Sequence, residues 1–219
     1  MPYTAKYRSP MGEILLAADE AGLTGLWFEG QKYYARCLGS EHMEKEHSME
    51  KEHSMEEDHS MEKNYSMEEN HSTGKSHSID ENSSMEKELP ALEMAKTWLD
   101  IYFSGKEPDF MPPIHLTGSP FRLSVWKLLQ QIPYGKTMTY GELARRIAGQ
   151  RGISHMSAQA VGGAVGHNPI SIIVPCHRVV GSDGSLTGYA GGVERKEQLL
   201  ALEGVDMGKL FMPIRGTAL

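Results

Sequence analysis

The sequence predicts an α+β protein in which a small N-terminal α/β domain is followed by a mainly helical C-terminal domain. Short strand-like runs with hairpin signals open the chain, and amphipathic helical patterns dominate its second half. An acidic repeat interrupts the first part. At 219 residues the chain can hold one or two domains with sizeable cores. We expect the N-terminal domain at residues 1–110, a linker at 111–118 and the C-terminal domain at 119–219.

Strands and one helix make up the predicted N-terminal domain. The strands are joined by Ser-Pro-Met-Gly and Asp-Glu-Ala-Gly segments, which are typical of hairpin turns. After the repeat, Leu92, Ala95 and Leu99 share one helical face and indicate an amphipathic helix. The predicted strands are Tyr3–Arg8, Glu13–Ala18 and Leu23–Phe28, and the predicted helix is Pro90–Phe103.

Residues 41–88 form an array of hexapeptides, of which His53-Ser54-Met55-Glu56-Glu57-Asp58 is one copy. The array holds 15 acidic and 5 basic residues, a net charge of −10. Its period matches neither a helix nor a strand, and one methionine per copy buries too little surface to offset the entropy of ordering the chain. We therefore predict a disordered or weakly helical acidic insertion. Binding of a soft metal by its histidines and methionines is a less favoured alternative.

Helical patterns fill the first half of the predicted C-terminal domain. An apolar stripe from Phe121 to Ile132 indicates a first helix, which a Pro-Tyr-Gly sequence ends. Thr139 and Glu142 form a capping-box pattern for a second helix that runs to about Ala148.

A third helix is predicted to start at Ser157 and to end at Asn168-Pro169. The succession of helices suggests a helix-turn-helix, although the connection is longer than usual. Residues 119–219 hold 11 Lys and Arg against 6 Asp and Glu, so this domain carries +5 and suits a polyanionic partner. The third helix has unusually small side chains, at Ala158, Ala160, Gly162, Gly163, Ala164 and Gly166. Composition alone favours internal packing over close approach to nucleic acid as the reason.

Near the C-terminal end, Cys176 follows the apolar run Ile172-Ile173-Val174-Pro175 and precedes His177. Because proline cannot donate a ladder hydrogen bond, it tends to mark the end of a strand, and we expect Cys176 to emerge at a rim. A neighbouring base would help to form the thiolate, the reactive form of cysteine. From this segment alone, a buried and inert cysteine is an equally good interpretation.

Several motifs around this cysteine occur together and in order. They are Val125-Trp126, Ile132-Pro133-Tyr134-Gly135, Tyr140, Ala160-Val161-Gly162-Gly163-Ala164, Asn168-Pro169, Pro175-Cys176-His177-Arg178, Gly188-Tyr189, Gly191-Gly192 and Lys196 to Glu203. With them the chain resembles the methylated-DNA–protein-cysteine methyltransferases, or O6-alkylguanine-DNA alkyltransferases, over nearly everything outside the array. The resemblance implies a ribonuclease-H-like N-terminal domain and a winged helix-turn-helix-like catalytic domain.

The resemblance also implies a reaction. O6-methylguanine, with O4-methylthymine as a further candidate, would be flipped out of duplex DNA, and its alkyl group would move irreversibly to Cys176. The protein would thus be a suicidal methyltransferase that acts once per molecule. His177 would take the thiol proton through a water, and Glu203 would orient the imidazole. Tyr140 would contact the flipped base or its phosphate and protonate the leaving guanine.

A second set of residues is implied to contact DNA or the flipped base. The set is Gln159, Ala160, Gly162, Gly163, Asn168, Arg178, Tyr189 and Gly191. The family docks the third helix in the minor groove, uses a hinge asparagine at the position of Asn168, and lines its base pocket at Tyr189 and Gly191. Gln159 departs from the family, which commonly has an arginine there that replaces the flipped base in the stack. We therefore expect weaker DNA affinity or slower repair of duplex substrate.

Two other functions are weighed against this one. A non-catalytic protein that binds alkyl lesions and signals to other repair pathways would lack the cysteine, whereas Cys176 is present. A Cys-His peptidase or acyltransferase does not usually have the two residues adjacent. The expected partner is double-stranded DNA containing O6-alkylguanine, with no cofactor, metal site or membrane span, and the expected state is a monomer. Because Cys37 and Cys176 give no disulfide framework, we expect a cytoplasmic location.

Overall fold

The computed structural model describes residues 2–35, 38 and 89–213. Cys37 and the predicted insertion at 41–88 lie outside the described residues. All described residues belong to one compact unit, in which a small sheet is followed by helices. The predicted α+β class is therefore confirmed.

The predicted strands and helices occur in the predicted order, and the structure adds two short strands. The strands are β1 (Tyr3–Ser9), β2 (Gly12–Asp19), β3 (Gly22–Phe28), β4 (Met138–Thr139) and β5 (Val179–Val180). The helices are α1 (Pro90–Phe103), α2 (Pro120–Leu129), α3 (Tyr140–Arg151), α4 (Ala158–Gly166) and α5 (Val193–Leu202), and a 3-10 turn spans Cys176–Arg178.

The N-terminal strands form an antiparallel sheet in the order β1-β2-β3, so the hairpin predictions are confirmed. In the second turn the Asp19 carboxylate accepts hydrogen bonds from the backbone N–H groups of Ala21 (2.9 Å) and Gly22 (3.1 Å). Such a bond pattern stabilises a tight turn locally. Short-range turn chemistry was therefore enough to place the strands.

The outer edge of β3 is covered by chain from the C-terminal half. The Leu26 N–H donates to the Pro169 carbonyl (2.9 Å), and the Ser171 N–H donates to the Leu26 carbonyl (2.9 Å). An exposed strand edge is prone to pair with other chains, and this contact removes that hazard. It also attaches the sheet to the segment that leads into Cys176.

Helix α1 packs its apolar face into the same core as the sheet. Leu92, Ala95, Leu99 and Tyr102 are buried along this face. The observed bounds equal the predicted ones. Burial of these side chains supplies most of the helix's stability, because an isolated helix of this length is marginal in water.

The helices of the C-terminal half begin where the capping signals predict. In α3 the Thr139 hydroxyl accepts a hydrogen bond from the Glu142 N–H (3.1 Å), and the Glu142 carboxylate accepts one from the Thr139 N–H (2.8 Å). The helix runs past Ala148 and ends at Gly152, whose φ of 65° is left-handed. Ser157 caps α4 because its hydroxyl accepts a hydrogen bond from the backbone N–H of Ala160, the third residue of the helix.

The segment before Cys176 corrects one expectation. Ile172–Val174 is a buried turn rather than a strand, and Cys176 is only 5% exposed instead of emerging at a rim. Ile172 has a left-handed φ of 66°, which is strained for a β-branched residue. The chain turns because the Val174 N–H bonds locally to the Ile170 carbonyl (3.1 Å) instead of to a neighbouring strand.

Two short features complete the fold. Strands β4 and β5 pair in parallel, with Met138 opposite Val179, and so bring the start of α3 next to the Cys176 turn. Within the described ranges, no helix combines the length and apolar character needed to cross a membrane.

Candidate active site

Cys176 lies at the start of the 3-10 turn, held by an asparagine from the end of α4. The Asn168 Nδ2 donates to the Cys176 Sγ (3.1 Å) and to the Val174 carbonyl (2.8 Å), while its Oδ1 accepts from the Ile170 N–H (3.1 Å). Asn168 thus links the end of α4 to the turn, and the hinge role that the resemblance implies stays a prediction. Its amide is buried and does not face outward toward a nucleic acid.

Burial determines the resting state of the Cys176 thiol. Desolvation raises the pKa of Cys176, and the opposing effects of the Asn168 hydrogen bond and the Lys196 charge do not overcome it. The residue therefore rests as a neutral thiol. Reaction as a thiolate needs a base that removes the proton.

His177, the next residue, carries a buried imidazole. Its Nε2 is 2.7 Å from the Glu203 Oε1, and its Nδ1 is buried without a hydrogen-bond partner among the described residues. Burial lowers the pKa of His177, although the hydrogen bond and charge of Glu203 oppose this effect. We assign the ring proton to Nε2, since a carboxylate can only accept there. Nδ1 of the neutral ring is then free to take a proton.

Glu203, at the end of α5, is buried and surrounded by donors. Its Oε1 accepts from the Tyr102 hydroxyl (2.8 Å) and the Arg178 guanidinium (2.9 Å), and its Oε2 accepts from the Gly135 N–H (3.1 Å). Burial alone would raise the pKa of Glu203, but His177 and Arg178 outweigh it and lower this pKa to about 2. Glu203 is therefore a buried, ionised carboxylate that is hydrogen-bonded to His177.

Arg178 lies inside the protein, beside Glu203. Its guanidinium is buried, bonds both oxygens of Glu203 and donates to the Ile132 carbonyl (2.6 Å). It also lies over the Tyr134 ring at 5.7 Å. The side chain thus supports the carboxylate from within the protein, and the contact with DNA or the flipped base that the resemblance implies stays a prediction.

Tyr102 is a site residue that sequence reasoning did not find. It lies on the apolar face of α1, where its spacing indicates only core packing. Its hydroxyl nevertheless reaches Glu203, and its ring is perpendicular to that of His177 at 6.5 Å. No local pattern could have revealed a contact between residues so far apart in sequence.

Tyr140 and Lys196 meet at the same backbone carbonyl. The Thr187 oxygen accepts hydrogen bonds from the Tyr140 hydroxyl (3.1 Å) and the Lys196 Nζ (2.6 Å). Burial, reinforced by the nearby Cys176, raises the pKa of Tyr140, so its hydroxyl keeps its proton near neutral pH. Burial lowers the pKa of Lys196 to about 8, with Cys176 opposing. Lys196 was recognised only as part of a motif, and the structure adds its buried position.

Tyr189 and Gly191 lie in a loop beside His177. The Tyr189 ring is buried and perpendicular to the His177 ring at 6.4 Å. A Cβ on Gly191 would come within 2.8 Å of the Tyr189 ring and 3.4 Å of the Phe28 ring, so only glycine fits there. That the two residues line a base pocket, as the resemblance implies, stays a prediction.

The outward face of α4 is separate from the buried cluster. Gln159 and Ala160 are exposed, Gly162 is buried and Gly163 is half-buried. A Cβ added to Gly163 or Gly166 would meet nothing within 4 Å among the described residues. Internal packing, which composition alone favoured, therefore does not explain these two glycines. The face is open to close approach by another molecule.

Comparison with known proteins covers both halves of the chain. A family profile described as "6-O-methylguanine DNA methyltransferase, ribonuclease-like domain" matches residues 3–116. A second, described as "6-O-methylguanine DNA methyltransferase, DNA binding domain", matches residues 120–205. Within the described part of the chain, no group of three or more His, Cys, Asp or Glu is placed to hold a metal ion.

Individual relatives carry matching names. A methylated-DNA–protein-cysteine methyltransferase of Mycolicibacterium paratuberculosis is 54% identical over 48% of this chain, and the match spans only 61% of that relative's length. One from Methanosarcina acetivorans is 37% identical over 92% of this chain and 98% of its own. The crystal structure of Mycobacterium tuberculosis O6-methylguanine methyltransferase is similar, with a TM-score of 0.61, 33% identity and 93% coverage of both chains. Mycobacterium tuberculosis OGT in complex with DNA gives a TM-score of 0.59 at 32% identity, over 94% of this chain and 92% of that one.

Proposed function

Because the chain belongs to the methylated-DNA–protein-cysteine methyltransferase family, we propose that it repairs DNA by moving an alkyl group from the O6 of guanine to its own Cys176. The observation that carries this proposal is the buried arrangement of Cys176, His177 and Glu203. Because Glu203 occupies the Nε2 of His177, the Nδ1 of that ring can accept the thiol proton. The partner is double-stranded DNA that contains O6-alkylguanine. The relative that was crystallised in complex with DNA supports this choice.

The first step generates the nucleophile. The Cys176 thiol gives its proton to the Nδ1 of His177 through a water, and the imidazolium that forms is stabilised by the ionised Glu203. Asn168 donates to the sulfur and stabilises its growing negative charge. A buried thiol thus becomes reactive only when its base and the substrate are both in place.

The second step transfers the alkyl group. The sulfur attacks the alkyl carbon, an S–C bond forms, the C–O6 bond breaks, and the electron pair remains on the guanine. Tyr140, which keeps its hydroxyl proton, donates it to a ring nitrogen of the leaving guanine, and the proton held by His177 restores the tyrosine through solvent. The thioether on Cys176 has no route back to a thiol, so each molecule acts once.

The DNA-binding face follows from the outward side of α4. Its exposed Gln159 and Ala160 and the open Gly163 let this helix approach the floor of a minor groove, where bulky side chains would not fit. The target base must leave the stack to reach the buried Cys176. In this proposal Gln159 fills the gap that the base leaves.

Domain boundaries and location belong to the same proposal. The two family profiles meet near the proposed linker at 111–118, which supports separate roles for residues 1–110 and 119–219. A nucleophilic thiol must stay reduced until it meets its substrate, and this favours the cytoplasm.

Mass mapping of the Cys176 peptide tests the proposal. The full chain is incubated with a duplex that contains O6-methylguanine, and we expect one methyl group on Cys176 and unmodified guanine in the DNA. A Cys176→Ala variant is the matched control, and it should bind the lesion without repairing it. Lesion binding by the native chain with no methyl group on Cys176 would instead indicate a protein that only flags alkyl lesions, which is not favoured while Cys176 is present.

A further inference from the structure

The loop that holds Tyr189 has little regular structure to fix it. We call residues 187–192 the base-pocket loop; it lies between β5 and α5, outside any helix or strand. Gly188 and Gly192 have left-handed φ values of 70° and 94°, which side chains would rarely allow. On one side the loop borders a cavity of about 580 Å³ that also reaches Gly30 and Lys32 of the N-terminal half. Close packing alone therefore does not hold the loop from that side.

From its position we infer that Arg195 is a positioning residue for alkyl transfer, because its side chain holds the base-pocket loop against the N-terminal sheet. We call these contacts of Arg195 the clasp. Its Nη1 donates to the Gly191 carbonyl (3.0 Å), and its Nε donates to the Met11 carbonyl in the β1–β2 turn (3.0 Å). The guanidinium also lies over the Phe28 ring at 4.9 Å. One planar side chain thus joins the loop, a hairpin turn and the end of β3.

A backbone contact runs parallel to this clasp. The Lys32 N–H donates to the Ala190 carbonyl (3.0 Å). The neighbouring Gln31 is buried, and its Oε1 accepts from the Phe28 N–H (3.2 Å) and the Ser171 hydroxyl (3.1 Å). The chain that follows β3 therefore braces both the base-pocket loop and the segment before Cys176.

If the protein has the proposed function, the position of the base-pocket loop affects alkyl transfer to Cys176. Its Thr187 carbonyl receives the Tyr140 hydroxyl, and its Tyr189 ring lies beside His177. A small shift of the loop would move the bound guanine relative to the sulfur, and transfer is sensitive to such shifts. The acidity of the Cys176 thiol depends on its burial and on Asn168 and Lys196, whereas the hydrogen bonds of Arg195 go to Met11 and Gly191. The clasp should thus control how the base is held and leave the thiol itself unchanged.

The experiment compares Arg195→Met, Arg195→Lys and the charge-matched control Lys106→Met, which removes an exposed lysine. Each full-length variant is tested for its single-turnover rate at saturating O6-methylguanine duplex, its duplex Kd and its melting temperature. The rate at which iodoacetamide labels Cys176 is measured as well, since that reaction needs no base pocket. Amide hydrogen exchange at Lys32 and Gly192 reports on the loop directly.

We expect Arg195→Met to lower the saturating transfer rate about tenfold, which corresponds to about 1.4 kcal/mol in the barrier, because the two hydrogen bonds that hold the loop are lost. Exchange at Lys32 should become faster, while duplex Kd and iodoacetamide labelling should change less than about twofold. Lysine keeps the charge but not the planar fork, so Arg195→Lys should restore the rate only in part.

Three results would overturn the inference: an unchanged rate in Arg195→Met, full restoration by lysine, or an equal loss in Lys106→Met. If Arg195→Met does not fold, Arg195→Lys is the test, provided that its melting temperature is unchanged. A reduced transfer rate would then support the inference, and a native transfer rate would oppose it. In each comparison the native chain must first become methylated on Cys176. If the native chain is not methylated, the proposed function is wrong; if it is methylated and the Arg195 variants behave like it, only the inference about Arg195 is wrong.

Discussion

Burial controls the resting protonation of each reactive side chain in the site. It raises the pKa of Cys176 and lowers that of His177, so the pair rests as a thiol and a neutral imidazole. A thiolate is the reactive form of cysteine, so a buried neutral thiol is less reactive than an exposed thiolate. The ionised Glu203 favours the imidazolium form of His177, although burial outweighs this effect in the resting site.

The first prediction concerns the pH dependence of transfer. Because the pKa of His177 lies below its ordinary value of about 6.5, the imidazole stays neutral and able to accept a proton throughout the neutral range. The single-turnover rate at saturating duplex should therefore be flat from about pH 8 to 6.5 and fall only at lower pH, where the base becomes protonated. A rate that already declines above about pH 7 would contradict the lowered pKa. Lesion affinity, measured over the same range, separates binding from chemistry.

The second prediction concerns Glu203. Its pKa of about 2 is below the unfolded value of about 4.3, so the carboxylate contributes stability that is present above about pH 4 and is lost as the pH falls toward 2. Glu203→Gln should reduce the free energy of unfolding by about 3 kcal/mol at pH 7, since Arg178 is left buried without its charge partner. The transfer rate should fall about 100-fold with the loss of the ionised orienter.

Urea unfolding and single-turnover assays check this prediction, with Glu197→Gln on the same helix as the control. The stability difference between Glu203→Gln and the native chain should shrink as the pH is lowered from 4 toward 2. A difference that is constant over this interval would show that the carboxylate is not the acid-sensitive group. Loss of rate in the control would point to a general effect of charge on α5.

The third prediction addresses Gln159, which is exposed on α4. Glutamine can hydrogen-bond an orphaned base, but it lacks the charge and the planar face with which arginine stacks. Gln159→Arg should tighten binding to lesion-bearing duplex about tenfold and raise the rate at subsaturating DNA. The exposed Gln198, on α5, offers a control in which Gln198→Arg adds the same charge elsewhere. Equal gains in both variants would mean that charge alone, and not insertion at the flipped base, is responsible.

At the scale of elements, the sequence could predict whatever depends on neighbours along the chain. The hairpin turns, the capping box of Thr139 and Glu142 and the start of α4 at Ser157 all depend on hydrogen bonds within a few residues. The turn at Ile172 could not be predicted, because a β-branched residue adopts a positive φ only when distant packing forces it. Strands β4 and β5 could not be predicted either, because two residues are too few to show a periodic pattern.

The distinction between near and distant contacts also applies to the site. The motifs predicted a role for His177 beside Cys176, because the two residues are neighbours in sequence. Glu203, in contrast, accepts hydrogen bonds from five donor groups that lie on three separate segments. Tyr102 comes from α1, Gly135 from the turn after α2, and Arg178 from the turn at Cys176. Contacts of such long sequence separation leave no local pattern, so the sequence did not predict that Arg178 bonds Glu203.

The fourth prediction tests the turn at Gly135. This glycine has a left-handed φ of 67°, and a Cβ there would come within 2.8 Å of the Glu203 carbonyl oxygen. Gly135→Ala should cost about 2 kcal/mol of stability and slow transfer, because it displaces the end of α5 that carries Glu203. Gly149→Ala is the matched control: it lies within α3, where a Cβ meets nothing within 4 Å among the described residues. That control should stabilise the protein by about 0.5 to 1 kcal/mol, and destabilisation of similar size in both variants would refute the steric argument.

On the scale of the whole molecule, the N-terminal sheet works as a support for the reactive segments. Strand β3 is bonded to the chain before Cys176, and Arg195 ties the β1–β2 turn to the base-pocket loop. One hydrophobic core includes residues from the sheet, from α1 and from the helices of the C-terminal half. The reactive cysteine is therefore positioned by both halves of the chain, although its motif lies in one of them.

The last prediction concerns the charge of the whole chain. The array at 41–88 carries −10, whereas residues 119–219 carry +5, so the acidic insertion opposes the attraction between the C-terminal half and DNA. Deletion of residues 41–88 should tighten binding to duplex DNA several-fold at low salt. The difference should shrink near 0.15 M salt and above, because exposed charges are then screened beyond about 8 Å. A variant in which the array keeps its length but has Asn and Gln in place of Asp and Glu separates charge from chain length: it should match the deletion if repulsion is the cause. Equal affinity of the native and deleted chains at low salt would show instead that the array does not influence DNA binding.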